Sequence, residues 1–325
     1  MTVVGFHASH EQMHPAALLS AVQEAEQAGF TAAMCSDHFA PWSTRQGHSG
    51  FAWAWLGAAL QSTSLPFGVV NAPGQRYHPA IIAQATATLS AMYPGRFWVA
   101  LGSGEAVNEH ITGDRWPDKE LRNRRLLESA SSMRRLLAGE EVTVRGEVTL
   151  DRAKLWSLPD APPPLLAAAV SPTTAAWAAG WADGLITVAQ PEPVLRRVIE
   201  AYRAGGGRGP LVLQVHLSFA ASDAEALAIA HNQWRTNVFP PPLCWDLDSP
   251  ESFDLAATHV PPEAMPNTVQ VSADLGRHAD WLSEAIALGF DELYLHHVGQ
   301  EQSAFIDAFG ERVLPQLTVT RKDPV

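Results

Sequence analysis

Hydrophobic positions along the chain fall into short apolar runs separated by longer stretches of helical spacing. Val3–Ala8, Thr31–Ser36, Leu65–Val70, Arg96–Leu101, Leu165–Val170, Leu185–Val188, Leu211–Phe219 and Glu292–His297 read as eight strands. Several are continuously apolar rather than alternating, the pattern of strands covered on both faces. Between the first two, His14–Ala28 carries apolar residues at helical spacing and Gly29 supplies a stop. Eight strands alternating with helices predict an α/β fold, a (β/α)8 TIM barrel, with a doubly wound open sheet as the alternative.

Two segments interrupt the repeat. Glu141–Leu158 predicts a small hairpin turning at Gly146, inserted before strand five. Residues 222–287 form a long insertion between strands seven and eight, with a helix over Asp223–Thr236 and then Phe239-Pro240-Pro241-Pro242-Leu243-Cys244-Trp245. Insertions of this length at a barrel mouth serve as lids or substrate walls. Residues 1–325 otherwise read as one barrel domain, within the size range of that fold.

In such a barrel the chemistry collects where strands end. Strand one is followed by His10 and Glu11, strand two by Asp37, His38 and Trp42, and strand three by Asn71 after Val70. Strand four leads into Gly102-Ser103-Gly104-Glu105 and Asn108, and strand five, past Ala169, into Ser171-Pro172-Thr173-Thr174. His38 is the first candidate for proton transfer, because an imidazole exchanges protons near neutral pH; a strand-end hydrogen bond is its structural alternative. Glu105 follows glycines that let a backbone approach a ligand, and is either an acid or a first-turn residue of a helix capped by Ser103. Ser171 and the N–H groups behind it make either an anion site or an ordinary helix cap. Trp42 and Trp245 sit in loop-like stretches and suit a flat apolar wall. His7, His10, His216, His296 and His297 raise a metal reading, yet adjacent His296 and His297 point to opposite faces of a strand, so no metal is expected.

Charge and cysteines narrow the partners. The formal net charge of -12 disfavours nucleic acid and anionic membrane surfaces. Two cysteines, Cys35 and Cys244, without a C-x-x-C spacing fit a reducing compartment. No apolar stretch is long enough to span a bilayer, and the start lacks a signal-peptide pattern, so a cytoplasmic protein acting on a small molecule is expected.

Four stretches carry a resemblance: Ser36-Asp37-His38-Phe39-Ala40-Pro41-Trp42, Arg76 through Gln84, Tyr93-Pro94-Gly95-Arg96 leading into Gly102 through Glu109, and Arg125 through Glu140. Together they resemble the luciferase-like flavin oxidoreductases, most closely the glucose-6-phosphate dehydrogenase group that uses the deazaflavin coenzyme F420, from about Val4 to about Leu317. The resemblance implies hydride transfer between a small organic substrate and a flavin-type cofactor. It implies His38 as the base, Trp42 steadying the charged intermediate, Glu105 as the acid and Glu11 beside them. It places Asp37, Val70, Asn71, Gly102, Ser103, Gly104, Asn108 and Ala169 near the cofactor, implies a cis peptide within Val69-Val70-Asn71, and suggests a homodimer.

Two departures qualify it. The late stretches Pro242-Leu243-Cys244-Trp245 and Pro266-Asn267-Thr268-Val269 offer no cation, which argues against a sugar-phosphate substrate. Val170-Ser171-Pro172 stands where the deazaflavin group carries Gly-Gly, and resembles members in which serine meets the phosphate of flavin mononucleotide (FMN). The expectation is therefore FMN at Ser171 with F420 as the alternative. A flavin monooxygenase, a non-catalytic flavin-binding barrel and a metal-dependent barrel hydrolase are the rival functions.

Overall fold

Inward and outward faces of the same strands are both apolar, and a closed parallel barrel wrapped by helices satisfies that requirement. The structure, a computed structural model, describes residues 2–317. In chain order the elements are β1 (Val3–Ala8), α1 (Pro15–Gln27), β2 (Ala32–Ser36), α2 (Ala52–Ser62), β3 (Phe67–Asn71), α3 (Pro79–Met92), β4 (Phe97–Leu101), α4 (Ala106–Glu109) and α5 (Lys119–Leu137). They continue with β5 (Val142–Arg145), β6 (Thr149–Ala153), β7 (Leu165–Ala168), α6 (Pro172–Ala178), β8 (Leu185–Val188), α7 (Glu192–Ala204) and β9 (Leu211–Ser218). The last part holds α8 (Asp223–Trp234), α9 (Leu243–Asp246), α10 (Pro250–Ala256), β10 (Gln270–Val271), α11 (Leu275–Ala287), β11 (Glu292–His297) and α12 (Ser303–Arg312).

The barrel is eight parallel strands in the order β1-β2-β3-β4-β7-β8-β9-β11, closed by the β8–β9 and β11–β1 pairings. The eight apolar runs of the sequence are these eight strands, so the TIM barrel stands and the open sheet does not. The expected hairpin is the antiparallel pair β5–β6. Between β9 and β11 the chain runs through α8, α9, α10, a 3-10 turn over Pro262–Asn267, the short β10 beside β9, and α11.

Outside the strands, α1, α2, α3, α5, α7 and α12 bury Leu18, Leu56, Ile82, Met133, Val198 and Phe305 against the barrel in one continuous core. Proline at the first turn recurs after capping side chains: His14 before Pro15, His78 before Pro79, Ser171 before Pro172 and Ser249 before Pro250. A ring that fixes φ and lacks an N–H fits that position, where the N–H has no helical partner.

Inside the barrel a second core of Val3, Ala32, Met34, Trp98, Ala100, Leu166, Ile186, Val212 and Tyr294 plugs the lower end. Trp98 and Tyr294 meet edge to face at 5.8 Å. They fit because Gly5 and Gly68 stand opposite: a Cβ at Gly5 would overlap the Tyr294 ring, and one at Gly68 the Trp98 indole. The plug closes the barrel below and leaves the strands' carboxyl ends as its open side.

Gly68→Ala is expected to destabilise the protein by about 1–3 kcal/mol through overpacking. Gly57→Ala, in a helix with open space around the added methyl, is expected to be neutral or slightly stabilising. Guanidinium unfolding of the two variants checks the pair.

Candidate active site

The strand ends open onto one cavity of about 460 Å³. Its construction starts at Asp37, one residue past β2, whose N–H donates to Val70 O at 2.9 Å and extends the β2–β3 ladder. The Asp37 carboxylate is buried and accepts from Trp53 Nε1 of α2 at 2.8 Å, Asn71 Nδ2 of β3 at 2.8 Å and Tyr77 OH at 3.2 Å. Arg76 adds an ion pair to it at 3.7 Å and donates from Nη2 to the Asp37 carbonyl at 2.7 Å. A buried carboxylate is tolerated when donors replace the lost water. These donors fix the chain just before His38.

His38 Nδ1 lies 2.6 Å from Glu11 Oε1, and Ser9 Oγ donates to the other carboxylate oxygen at 2.7 Å. Burial opposes charge on both partners, but their attraction and shared hydrogen bond prevail. Glu11 is pulled down to about 2 and His38 is raised above the usual histidine range. With Nδ1 held by Glu11, Nε2 is left facing Glu105 Oε2 at 3.8 Å. Burial, partly offset by His38 and by the Asn108 hydrogen bond, raises Glu105 above the ordinary carboxylate range.

Asn108 couples these groups. Its Oδ1 accepts from the N–H groups of Phe39 and Ala40, at 2.8 and 3.3 Å, and its Nδ2 donates to Glu105 Oε2 at 3.2 Å. Trp42 meets the His38 ring edge to face at 5.2 Å and is backed by Phe253 of α10 at 5.4 Å. The loop after β2 is stitched to the β9–β11 insertion: Asp254 accepts from Thr44 N, Thr44 Oγ1 and Arg45 Nη1, and Gln46 Nε2 donates to Gln233 O.

Of the residues singled out in the sequence, Glu11, Asp37, His38, Trp42, Val70, Asn71, Gly102, Ser103, Gly104, Glu105, Asn108 and Ala169 all line this cavity. Ser171 does not. Its hydroxyl accepts from Thr174 N at 3.3 Å and bonds Thr174 Oγ1 at 3.0 Å, so it caps α6, and Thr174 reaches the cavity instead. Glu105, not Ser103, stands at the start of α4, and Ser103 Oγ accepts from Lys119 Nζ at 2.7 Å. The cis peptide expected within Val69-Val70-Asn71 is absent. Val70 and Asn71 continue the parallel register against Ala100 and Leu101, and among the described residues the cis bond is Pro241–Pro242.

The walls are chemically unlike. Val70, Gly102, Ala168, Ala169, Ile186 and Val188, from β3, β4, β7 and β8 or just beyond them, form a thin aliphatic side. Facing it, His7 of β1, Gln214 and His216 of β9 and His296 of β11 form a polar row. His297, its side chain turned the other way, stacks on Phe305. Burial lowers His7 to about 4 and His216 to about 3, with neighbouring imidazoles adding repulsion. Among the described residues no group of three or more His, Cys, Asp or Glu is arranged to hold a metal ion.

Lys119 is a site residue that strand-end reasoning missed. It opens α5, far from any strand end in sequence, yet lines the cavity and lies 5.0 Å from the Trp245 ring centre. Burial, reinforced by Arg122, lowers it to about 8. Cys244, Trp245, Asn267 and Thr268 of the insertion also reach the cavity, and Lys119 is the one Lys or Arg in its described lining.

The chain was compared with known proteins. The family model described as luciferase-like monooxygenase matches residues 1–304. The F420-dependent glucose-6-phosphate dehydrogenase of Beutenbergia cavernae is 33% identical over 329 residues, covering 98% of both chains. The F420-dependent hydroxymycolic acid dehydrogenase of Mycobacterium tuberculosis is 34% identical over 322 residues, covering 97% of this chain and 88% of that one. Among solved structures, an F420-dependent secondary alcohol dehydrogenase in complex with an F420–acetone adduct superposes with a TM-score of 0.90 at 30% identity, covering 99% of each chain. Over nearly its whole length, then, this chain belongs to the luciferase-like monooxygenase family.

Proposed function

We propose that the protein is an F420-dependent dehydrogenase that oxidises a small, uncharged alcohol to the carbonyl compound. The observation that carries this reading is the His38–Glu11 pair at 2.6 Å, with Nε2 turned toward the cavity and Glu105. Glu11 accepts from Nδ1–H, fixes the tautomer and makes Nε2 a stronger base. Neutral His38 takes the hydroxyl proton at Nε2 as the carbinol C–H bond breaks and the C=O bond forms. Trp42 packs on the ring that becomes charged and favours that state. Glu105, raised above the ordinary carboxylate range by burial, is the acid candidate at the cavity wall.

A flat heteroaromatic cofactor suits the aliphatic side. An added Cβ at Gly102 would approach the Ala168 Cβ to 3.7 Å and narrow the slot. Asn71 Oδ1, buried without a hydrogen-bond partner among the described residues, is an acceptor for a ring N–H. When bound there, F420 supplies a two-electron hydride acceptor. Val70, Asn71, Ala168 and Ala169 would hold its ring.

The sequence reading put FMN first on the strength of Ser171. That hydroxyl is engaged in the helix cap, and the relatives similar over the full length carry F420 in their names, so the preference passes to F420. A substrate without phosphate fits a cavity whose cation, Lys119, already leans on Ser103 and Trp245. The apolar walls of Phe239, Trp245 and Phe253 favour the same choice.

Absorbance titration is expected to show tight binding of F420 and weak binding of FMN, with anaerobic F420 reduction by secondary alcohols. Tight FMN binding alone, or oxygen consumed in proportion to product, would replace this reading with a flavin monooxygenase.

His38→Ala is expected to lower kcat by about 10²–10⁴-fold while F420 affinity stays within a few-fold; undiminished turnover would remove His38 from the mechanism. The pH profile tests Glu11. The base form of His38 is required, so kcat/KM for oxidation rises as pH climbs through its raised pKa. Glu11→Gln removes the carboxylate that raises it, and the acid limb of the profile is expected to move to lower pH with a lower plateau.

A further inference from the structure

The polar row of the cavity has a hydrogen-bond order that can be traced atom by atom. Gln12 Nε2 donates to the Val298 carbonyl, which turns Gln12 Oε1 toward His296. An amide oxygen only accepts, so His296 Nε2 carries the proton and donates to it at 2.6 Å. His296 Nδ1 is then a lone pair, and the Gln214 amide nitrogen donates to it at 3.2 Å. The second hydrogen of that nitrogen goes to His216 Nε2 at 3.1 Å. His216 therefore holds its proton on Nδ1. One backbone carbonyl sets both tautomers and both amide orientations.

Two groups are left over at the end of this chain. Gln214 Oε1 is an acceptor and His216 Nδ1–H is a donor, and neither has a hydrogen-bond partner among the described residues. Neither is sealed off from the cavity, which both residues line. Trp234 packs against His216 at 4.7 Å and His296 at 4.8 Å, and His7 stacks on His296 at 4.3 Å. Burial keeps both His216 and His296 neutral at ordinary pH. Gln12, next in the chain to Glu11, ties the row to the His38 pair.

An uncharged acceptor and an uncharged donor on two adjoining side chains match hydroxyl chemistry, which both donates and accepts. An anion would meet the lone pairs of Gln214 Oε1, and a purely apolar group would leave both atoms unsatisfied at a cost. We propose that Gln214 and His216 form a second polar anchor of the substrate pocket, holding a second hydroxyl of the substrate, so that the preferred substrates are diols or larger polyhydroxy alcohols. The proposal rests on the alcohol-dehydrogenase reading of the same cavity and extends it to a substrate class.

The test uses the full chain with ¹⁵N-labelled histidine and needs no cofactor. Long-range ¹H–¹⁵N spectra are expected to show His216 protonated at Nδ1 and His296 at Nε2, with His216→Phe assigning the His216 signals. Saturating 2,3-butanediol is expected to shift the His216 signals more than saturating 2-butanol does, and Gln214→Met to abolish the difference. With F420 bound, kcat/KM is expected to favour the diol over 2-butanol by about 10-fold or more, and to approach parity in His216→Phe. Protonation of His216 at Nε2, or an equal response to the two alcohols, overturns the proposal. A diol-specific His216 shift with no F420 reduction by any alcohol would instead sink the dehydrogenase reading and leave the hydroxyl anchor standing.

Discussion

A buried carboxylate at position 37 is the constraint on which the upper half of the molecule depends. Asp37 lies where water cannot reach it, so protein groups must do the solvating. They come from the end of β3, the first turn of α2, and two residues of the segment before α3. These donors come from separate stretches of the chain, and folding must bring them together for the charge to be tolerated. Removing the Arg76 guanidinium would leave an uncompensated buried charge, typically a cost of about 3–5 kcal/mol. His38 inherits its position from that arrangement, being the next residue along a chain already fixed at its backbone and side chain.

The same economy of polar groups runs through the cavity. Glu11 is spent on His38, Asn108 divides itself between the backbone after His38 and the Glu105 carboxylate, and Gln46 joins the β2 loop to the insertion. The aliphatic and polar halves arise because β3, β4, β7 and β8 turn small residues to the mouth, whereas β1, β9 and β11 turn imidazoles and an amide there. One barrel thus offers a greasy shelf and a hydrogen-bonding shelf across a single opening. Burial keeps the His7 and His216 imidazoles of that shelf neutral, while His38, in direct contact with Glu11, is pushed the other way.

The strands and the front of the site were legible in the sequence because their signals are local. An apolar run followed at once by Asp37-His38 or Gly102-Ser103-Gly104-Glu105 announces a strand and its mouth in one stretch. Ser171 was misread for an equally local reason: a Ser-Pro before a helix looks the same whether the hydroxyl meets a phosphate or the helix's own N–H. Lys119 escaped notice because its helix begins well past the end of β4, and only the curl of the intervening chain brings it to Ser103. His216 and His296 were visible as residues but not as a pair, since their neighbourhood is created by the parallel register of β9 and β11.

The stitching of Asp254 to Thr44 and Arg45 has a bearing on descent. It fastens to the barrel a stretch of chain, 234–268, that contributes Trp234, Phe239, Trp245, Phe253 and Thr268 to the cavity wall. None of the His38, Glu11 and Glu105 machinery lies in that stretch. Mutation can therefore redraw the outer wall as a block while His38, Glu11 and Glu105 are inherited unchanged. A lineage built this way can pass from one substrate to another through a single contiguous segment, provided the clasp at Asp254 survives.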